Sequence, residues 1–203
     1  MSDLTRAVSF PLRRREVAQQ IFDSCGDDFL MITGLGSTNW DFTAAGDCPS
    51  IFPLWGAMGG ALPMALGLAL AQPDKRILAA TGDAEILMAL GSFATVAVQA
   101  PPNLSIVVFD NERYGETGMQ ATATAHTTDL AAIAAASGIL VTGTVRDQVE
   151  LDAALPLMVE GKGPSMHVIK VRAEPLPFVL PPKDGAYLKD RFRLALLGDD
   201  GIV

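Results

Sequence analysis

The stretch GDAEILMALGSFATVAVQAPPNLSIVVFDNERYGETG, residues 82–118, decides the reading of this chain. It opens directly after one short apolar run, RILAAT (76–81), and contains a second, LSIVVF (104–109). Asp83 stands just past the first run and Asn111 just past the second, separated by about one helix and one strand. Unbroken apolar runs of this length, spaced by a helical pattern, predict parallel strands covered on both faces.

The same alternation extends in both directions. Upstream, a helix-like LRRREVAQQIFDSC (12–25) leads into the strand FLMIT (29–33), a polar loop (34–53) and a small-residue helix over 56–71. Downstream of strand 76–81, a helix is expected over EILMALGSFATVAVQA (85–100), then strand 104–109 and a polar loop (110–128). DLAAIAAASG (129–138) reads as a helix stopped by Gly138. ILVTGTV (139–145) reads as a strand, DQVELDAALPLMVEG (147–161) as a helix and SMHVIKVRA (165–173) as a strand. A Pro-rich connector, LPFVLPP (176–182), precedes a terminal helix, GAYLKDRFRLALL. The pattern predicts one α/β domain over 1–203, a doubly wound, mostly parallel sheet with helices on both faces. Its core spans about 30–172, with a tail over 173–203. Ligands in that architecture bind outside the carboxyl ends of the strands.

Composition narrows the function classes. A net charge of −8 argues against nucleic acid or an anionic membrane surface as partner. Any anion site must therefore attract its ligand locally. The longest apolar stretch, 56–71, contains Pro63 and is too short to span a bilayer. Arg13, Arg14 and Arg15 are followed by EVAQQIF rather than the apolar stretch of a targeting signal. The two cysteines, Cys25 and Cys48, have no metal-ligand spacing, and reduced thiols in the cytoplasm are the expectation.

If strands 76–81 and 104–109 are adjacent, Asp83 and Asn111 project from the same sheet edge. A carboxylate and an amide oxygen suit a hard cation such as Mg²⁺ or Ca²⁺ and disfavour zinc. A helix starting at about Ala84 would aim unpaired N–H groups at the same place. A hard cation beside a helix N-terminus is what a diphosphate requires. On spacing alone, a plainer reading stays open: Asp83 as a helix cap and Asn111 as a turn former.

Gly82-Asp83-Ala84 followed by Asn111 resembles the signature of thiamine diphosphate enzymes, in which Gly-Asp-Gly is followed by Asn after a helix and a strand. The resemblance implies thiamine diphosphate and Mg²⁺ as cofactors, with Asp83, Asn111 and the backbone carbonyl of Arg113 as metal ligands. WGAMGGALPMALGLALA (55–71) is similar to the family's Gly-x-Met-Gly segment. By that likeness Met58 wedges between the cofactor rings and the Gly56 carbonyl accepts from the aminopyrimidine. Gly82, Ala84, Glu85, Tyr114 and Gly115 join the cofactor-binding set, with Tyr114 and Gly115 shaping a loop over the diphosphate. Glu116 is the acid–base candidate, and His126 a candidate facing the substrate. His167, inside a strand, is expected to be structural.

The resemblance covers about 30–172, the pyrophosphate-binding domain, and the wording DNERYGETGMQ is most similar to sulfopyruvate decarboxylase beta subunits and phosphonopyruvate decarboxylase. Two departures stand out. Ala84 replaces the second Gly of the signature, which negative φ would tolerate. Glu85 stands where many relatives carry Ser, so its side chain should turn away from a diphosphate or meet a cation. The glutamate that touches the aminopyrimidine belongs to a different, pyrimidine-binding domain, and no segment here resembles it. The resemblance therefore implies half an active site. The partner would be a separate pyrimidine-domain subunit, with a homodimer possible alone, and the substrate a small acidic 2-oxo acid. An acetolactate-synthase-like carboligase half and a non-catalytic thiamine diphosphate-binding subunit are the alternatives. Two cysteines are too few for an iron–sulfur oxidoreductase half.

Overall fold

The computed structural model describes residues 5–26 and 28–198, so the expected tail is described only as far as Gly198. Its strands are β1 (Phe29–Thr33), β2 (Ile51–Pro53), β3 (Arg76–Gly82), β4 (Leu104–Asp110), β5 (Arg113–Tyr114), β6 (Gln120–Ala121), β7 (Val141–Val145) and β8 (Ser165–Lys170). Its helices are α1 (Arg14–Ser24), α2 (Ser37–Gly46), α3 (Ala61–Ala71), α4 (Asp83–Leu87), α5 (Gly91–Gln99), α6 (Leu130–Ala136), α7 (Gln148–Val159) and α8 (Gly185–Leu197). Six strands form one parallel sheet in the order β2-β1-β3-β4-β8-β7, and β5 and β6 form a small antiparallel ribbon.

The central strands are buried on both faces, and their alternate residues feed two separate cores. Leu30, Ile32, Ile77, Ala79, Ile106 and Val108 pack with α3, α5 and α6. Phe29, Met31, Leu78, Ala80, Val107 and Phe109 face the opposite way, against α1, α2 and α7. Each fully buried side chain of this kind contributes about 1.5–3 kcal/mol. On α3 the four-residue repeat Ala61, Ala65 and Ala69 is buried, so the helix approaches the sheet closely. None of the described helices is long and apolar enough to cross a membrane.

Four expectations need correction. The loop expected over 34–53 holds α2 and β2. Ser, Thr, Asn and Gly give α2 poor intrinsic propensity, but tertiary contacts override it. Phe42 is wholly buried, and the Thr38 hydroxyl donates to the Gly34 carbonyl at 2.8 Å. The helix expected over 85–100 is two helices: α4 starts at Asp83, and the chain breaks at Met88–Leu90 before α5. Gly91, a weak helix former, marks the restart. The helix expected from residue 56 begins only at Ala61, because Ala57 (φ +57°) and Gly59 (φ +91°) adopt left-handed backbone. The polar loop 110–128 contains the β5–β6 ribbon. Elsewhere boundaries moved little, and Gly138 (φ +102°) does end the α6 segment.

Candidate functional site

The chain leaves β1 between two neighbours that lie on opposite sides of it. Gly34 N–H donates to the Ala80 carbonyl of β3 at 2.7 Å, and Leu54 N–H, just past β2, donates to the Thr33 carbonyl at 3.0 Å. Strand order reverses here, which is where doubly wound sheets open a crevice. A cavity of about 290 Å³ lies at this point, walled by the segments following β1, β3 and β4.

Register decides what meets there. Gly82 pairs with Phe109, so β3 and β4 end level and deliver Asp83 and Asn111 to the same wall. Asp83 is buried and accepts on Oδ2 from the hydroxyls of Thr122 (2.6 Å) and Thr124 (3.1 Å). Burial and the neighbouring Asp110 carboxylate push the Asp83 carboxyl well above its usual range, against the pull of those hydroxyls and the Ala84 N–H. Thr124 also reaches Asp110 Oδ1 at 2.8 Å, so its one hydroxyl proton is shared between the two carboxylates, and Lys170 Nζ lies 2.7 Å from Asp110 Oδ2 and 2.9 Å from Glu112 Oε1. Among the described residues, no side-chain cation pairs with Asp83. Asn111 Oδ1 accepts from Arg113 N–H at 2.9 Å, which leaves it a second lone pair. A hard dication fits this donor set: one carboxylate, one amide oxygen, and a site with room for phosphate oxygens and water.

The turn carrying Asn111 is braced. Glu112 has φ +59°, an uncommon conformation for a residue with a Cβ. Its carboxylate is fully buried and receives Arg6 at 2.6 Å as well as Lys170. Burial alone would raise the Glu112 carboxyl, but the two cations outweigh it and hold it below the usual range.

The remaining expected residues fall into two groups. Met58, Gly82, Ala84, Glu85, Arg113, Tyr114, Gly115 and Glu116 all line the cavity. Met58 is 38% exposed at the tip of the Ala57–Gly60 turn, not packed in the core. Ala84 is helical with negative φ, so replacing the signature's second Gly carries no strain. Glu85 turns inward: Thr81 donates to Oε2 at 2.8 Å and Gly59 N–H to Oε1 at 3.2 Å, while burial keeps its carboxyl raised. It meets neutral donors rather than a cation. A Cβ on Gly36 would stand 3.2 Å from Glu116 Oε1, so that carboxylate lies over the first turn after β1. Gly56 and His126 are exposed and do not line the cavity, so the fold alone does not bring them to it. His167 is buried in β8, as expected of a structural residue. The helix end at Asp83 belongs to a five-residue α4, a weaker dipole than the long helix expected.

Sequence reasoning missed Arg14, Asp41, Thr122, Thr124 and Lys170. The threonines act through a loop whose return toward β3 has no periodic signal. Lys170 is recognisable only once β8 is known to pair with β4, placing it opposite Asp110.

The fold and cavity define a doubly wound α/β protein with an oxygen-rich site at its strand ends. The family pattern for the thiamine pyrophosphate enzyme C-terminal TPP-binding domain matches residues 37–169, and the chain belongs to that family. It is 40% identical over 127 residues to sulfopyruvate decarboxylase subunit beta of Methanothermobacter thermautotrophicus, covering 63% of this chain and 67% of that one. It is 33% identical over 167 residues to phosphonopyruvate decarboxylase of Streptomyces viridochromogenes, covering 82% of this chain and 42% of that one. The crystal structure of benzoylformate decarboxylase from Polynucleobacter necessarius superposes with a TM-score of 0.69 at 19% identity, over 83% of this chain and 34% of that one. That likeness bears on the fold.

Proposed function

We propose that this chain is the diphosphate- and Mg²⁺-binding subunit of a two-subunit thiamine diphosphate-dependent decarboxylase. Its substrate would be a small acidic 2-oxo acid such as sulfopyruvate or phosphonopyruvate. One observation carries the reading: Asp83 and Asn111, at the level ends of adjacent strands, line one cavity with Met58. The similarity to a protein named as a beta subunit supports the need for a partner.

In this reading Asp83, Asn111 and the Arg113 carbonyl would hold Mg²⁺, which would supply the positive charge that a diphosphate needs. The cofactor, when bound, supplies an electron sink for the bond to the departing CO₂. Met58 would support the cofactor rings from its exposed turn, and Glu116 would move a proton at the substrate. Gly56 would reach the aminopyrimidine, and His126 the substrate, once the partner covers this face. Trp55, Met58, Met64 and Met88 are exposed. Large apolar side chains in contact with water suit an interface with a pyrimidine-domain subunit, or with a second copy when that subunit is missing. A cytoplasmic location belongs to the same proposal and accords with the two free thiols.

Calorimetric titration with thiamine diphosphate tests the reading. Binding is expected with Mg²⁺, and its loss is expected in excess EDTA and in Asp83→Ala. Undiminished binding in either case refutes it. CO₂ release from sulfopyruvate is expected only after a pyrimidine-domain subunit is added.

A further inference from the structure

Arg14 is 7% exposed, yet it opens α1 and lines the cavity. Its place in the helix and its burial both work against a charged arginine here. A cation in the first turn lies at the wrong end of the helix dipole. Burial disfavours its charge and lowers the Arg14 pKa, with Asp41 only partly restoring it. Its Nε is buried without a hydrogen-bond partner, and its one ion pair among the described residues, Nη1 to Asp41 Oδ2, is a loose 3.5 Å. Arg76 and Arg191 also have unpartnered Nε atoms, but their terminal nitrogens are tied at 2.6 Å to the Gly161 carbonyl and at 2.8 Å to Asp47. Those two have structural work to do. Arg14 has most of its fork unused beside a cavity.

Charge accounting points the same way. Asp41 is shared, because Arg15 Nε bonds its Oδ1 at 3.1 Å. The Asp41 carboxylate is therefore divided between two guanidinium groups, and Arg14 has the longer of the two contacts. The groups acting on Arg14 are Asp41, Arg15, Glu174 and Glu116, whereas the carboxylate acting on Asp83 is Asp110. Arg14 thus belongs with Glu116, apart from the proposed metal ligands.

We propose that Arg14 is the anion anchor of the cavity, its planar fork binding the sulfonate or phosphonate of a dianionic 2-oxo acid. A guanidinium presents paired N–H donors matched to a tetrahedral oxyanion, and it keeps its charge when desolvated. The assignment rests on the proposed substrate class and adds the residue that would select it over a monoanionic 2-oxo acid. The rival source of the same oxyanion chemistry is the cofactor's own diphosphate.

Isothermal titration of the full chain with sulfoacetate, with acetate, and with thiamine diphosphate plus Mg²⁺ separates these sources. Arg14→Gln is expected to weaken sulfoacetate binding about tenfold or more, as for losing hydrogen bonds to a charged group. Acetate and thiamine diphosphate affinities should stay within about twofold. Arg14→Lys keeps the charge and loses the fork, so its sulfoacetate affinity should fall between the two; it carries the test if Arg14→Gln does not fold. A loss confined to thiamine diphosphate would give Arg14 to the cofactor and overturn the proposal. Unchanged sulfoacetate affinity in folded variants, or none in the wild-type chain, would also overturn it. Failure of thiamine diphosphate to bind the wild-type chain would refute the proposed function while the sulfoacetate comparison still decides Arg14.

Discussion

The Thr122 hydroxyl donates to Asp83 Oδ2 at 2.6 Å, joining the loop after β4 to the end of β3. It fixes the direction in which the Asp83 carboxylate points, while Thr124, 3.1 Å from the same oxygen, is shared with Asp110 at 2.8 Å. The contact lies beneath the proposed metal site, and outer partners of this kind tune metal affinity.

Thr122→Val keeps the shape and removes that donor. Its expected effect is a roughly tenfold rise in the Mg²⁺ concentration needed for half-maximal thiamine diphosphate binding. The buried carboxylate left short of a donor should also cost about 1–3 kcal/mol of stability. Titrating Mg²⁺ at fixed cofactor, with a denaturant melt alongside, reads both effects. Unchanged metal dependence would show that Thr122 does not position Asp83.

Met58→Ala should leave the melting temperature nearly unchanged, because a side chain 38% exposed loses little packing on truncation. Under the proposed function, turnover of the chain with its partner should fall more than cofactor affinity, since the proposed Asp83–Asn111 anchor is untouched. Normal turnover would remove Met58 from the ring-wedge role.

His167 gives a pH signature. Burial, with the nearby Arg76, holds its imidazole below the usual range, and Nδ1 has no hydrogen-bond partner among the described residues. A folded pKa below the unfolded one means that the unfolded chain binds more protons as pH drops past the usual imidazole value of about 6.5. Stability is therefore retained above that pH and lost below it. His167→Leu should lose less stability than wild type between about pH 7 and pH 5. Parallel losses in urea titrations at the two pH values would contradict the assignment.

Cys25 should be a slow nucleophile. Burial pushes its thiol up to about 12, with Arg76 opposing the shift only in part. The thiolate is the reactive species, so alkylation of the folded protein at pH 8 should be far slower than in denaturant. Its rate should still be rising at pH 10. Native-state labelling followed by peptide mass analysis checks both statements, and fast labelling at pH 8 would refute them.

Sequence alone indicated the parallel strands 76–81 and 104–109 and the placing of Asp83 and Asn111 at one sheet edge. Both follow from local patterns: apolar runs fix the strands, and a chain leaving adjacent parallel strands must place the next polar residues on one edge. The small α2 helix, the break between α4 and α5 and the left-handed turn at Ala57 were not legible. For α2 the reason is long-range packing that outweighs weak local propensity, as Phe42 buries its ring in the core. The same limit applied to the site. Tertiary structure alone brought Thr122 to Asp83, Lys170 to Asp110 and Arg14 to the cavity; the first two contacts join residues 39 and 60 positions apart. Spacing along the chain records which element a residue belongs to. Which side chains from other elements share its desolvated pocket is settled only when the sheet closes and its helices pack.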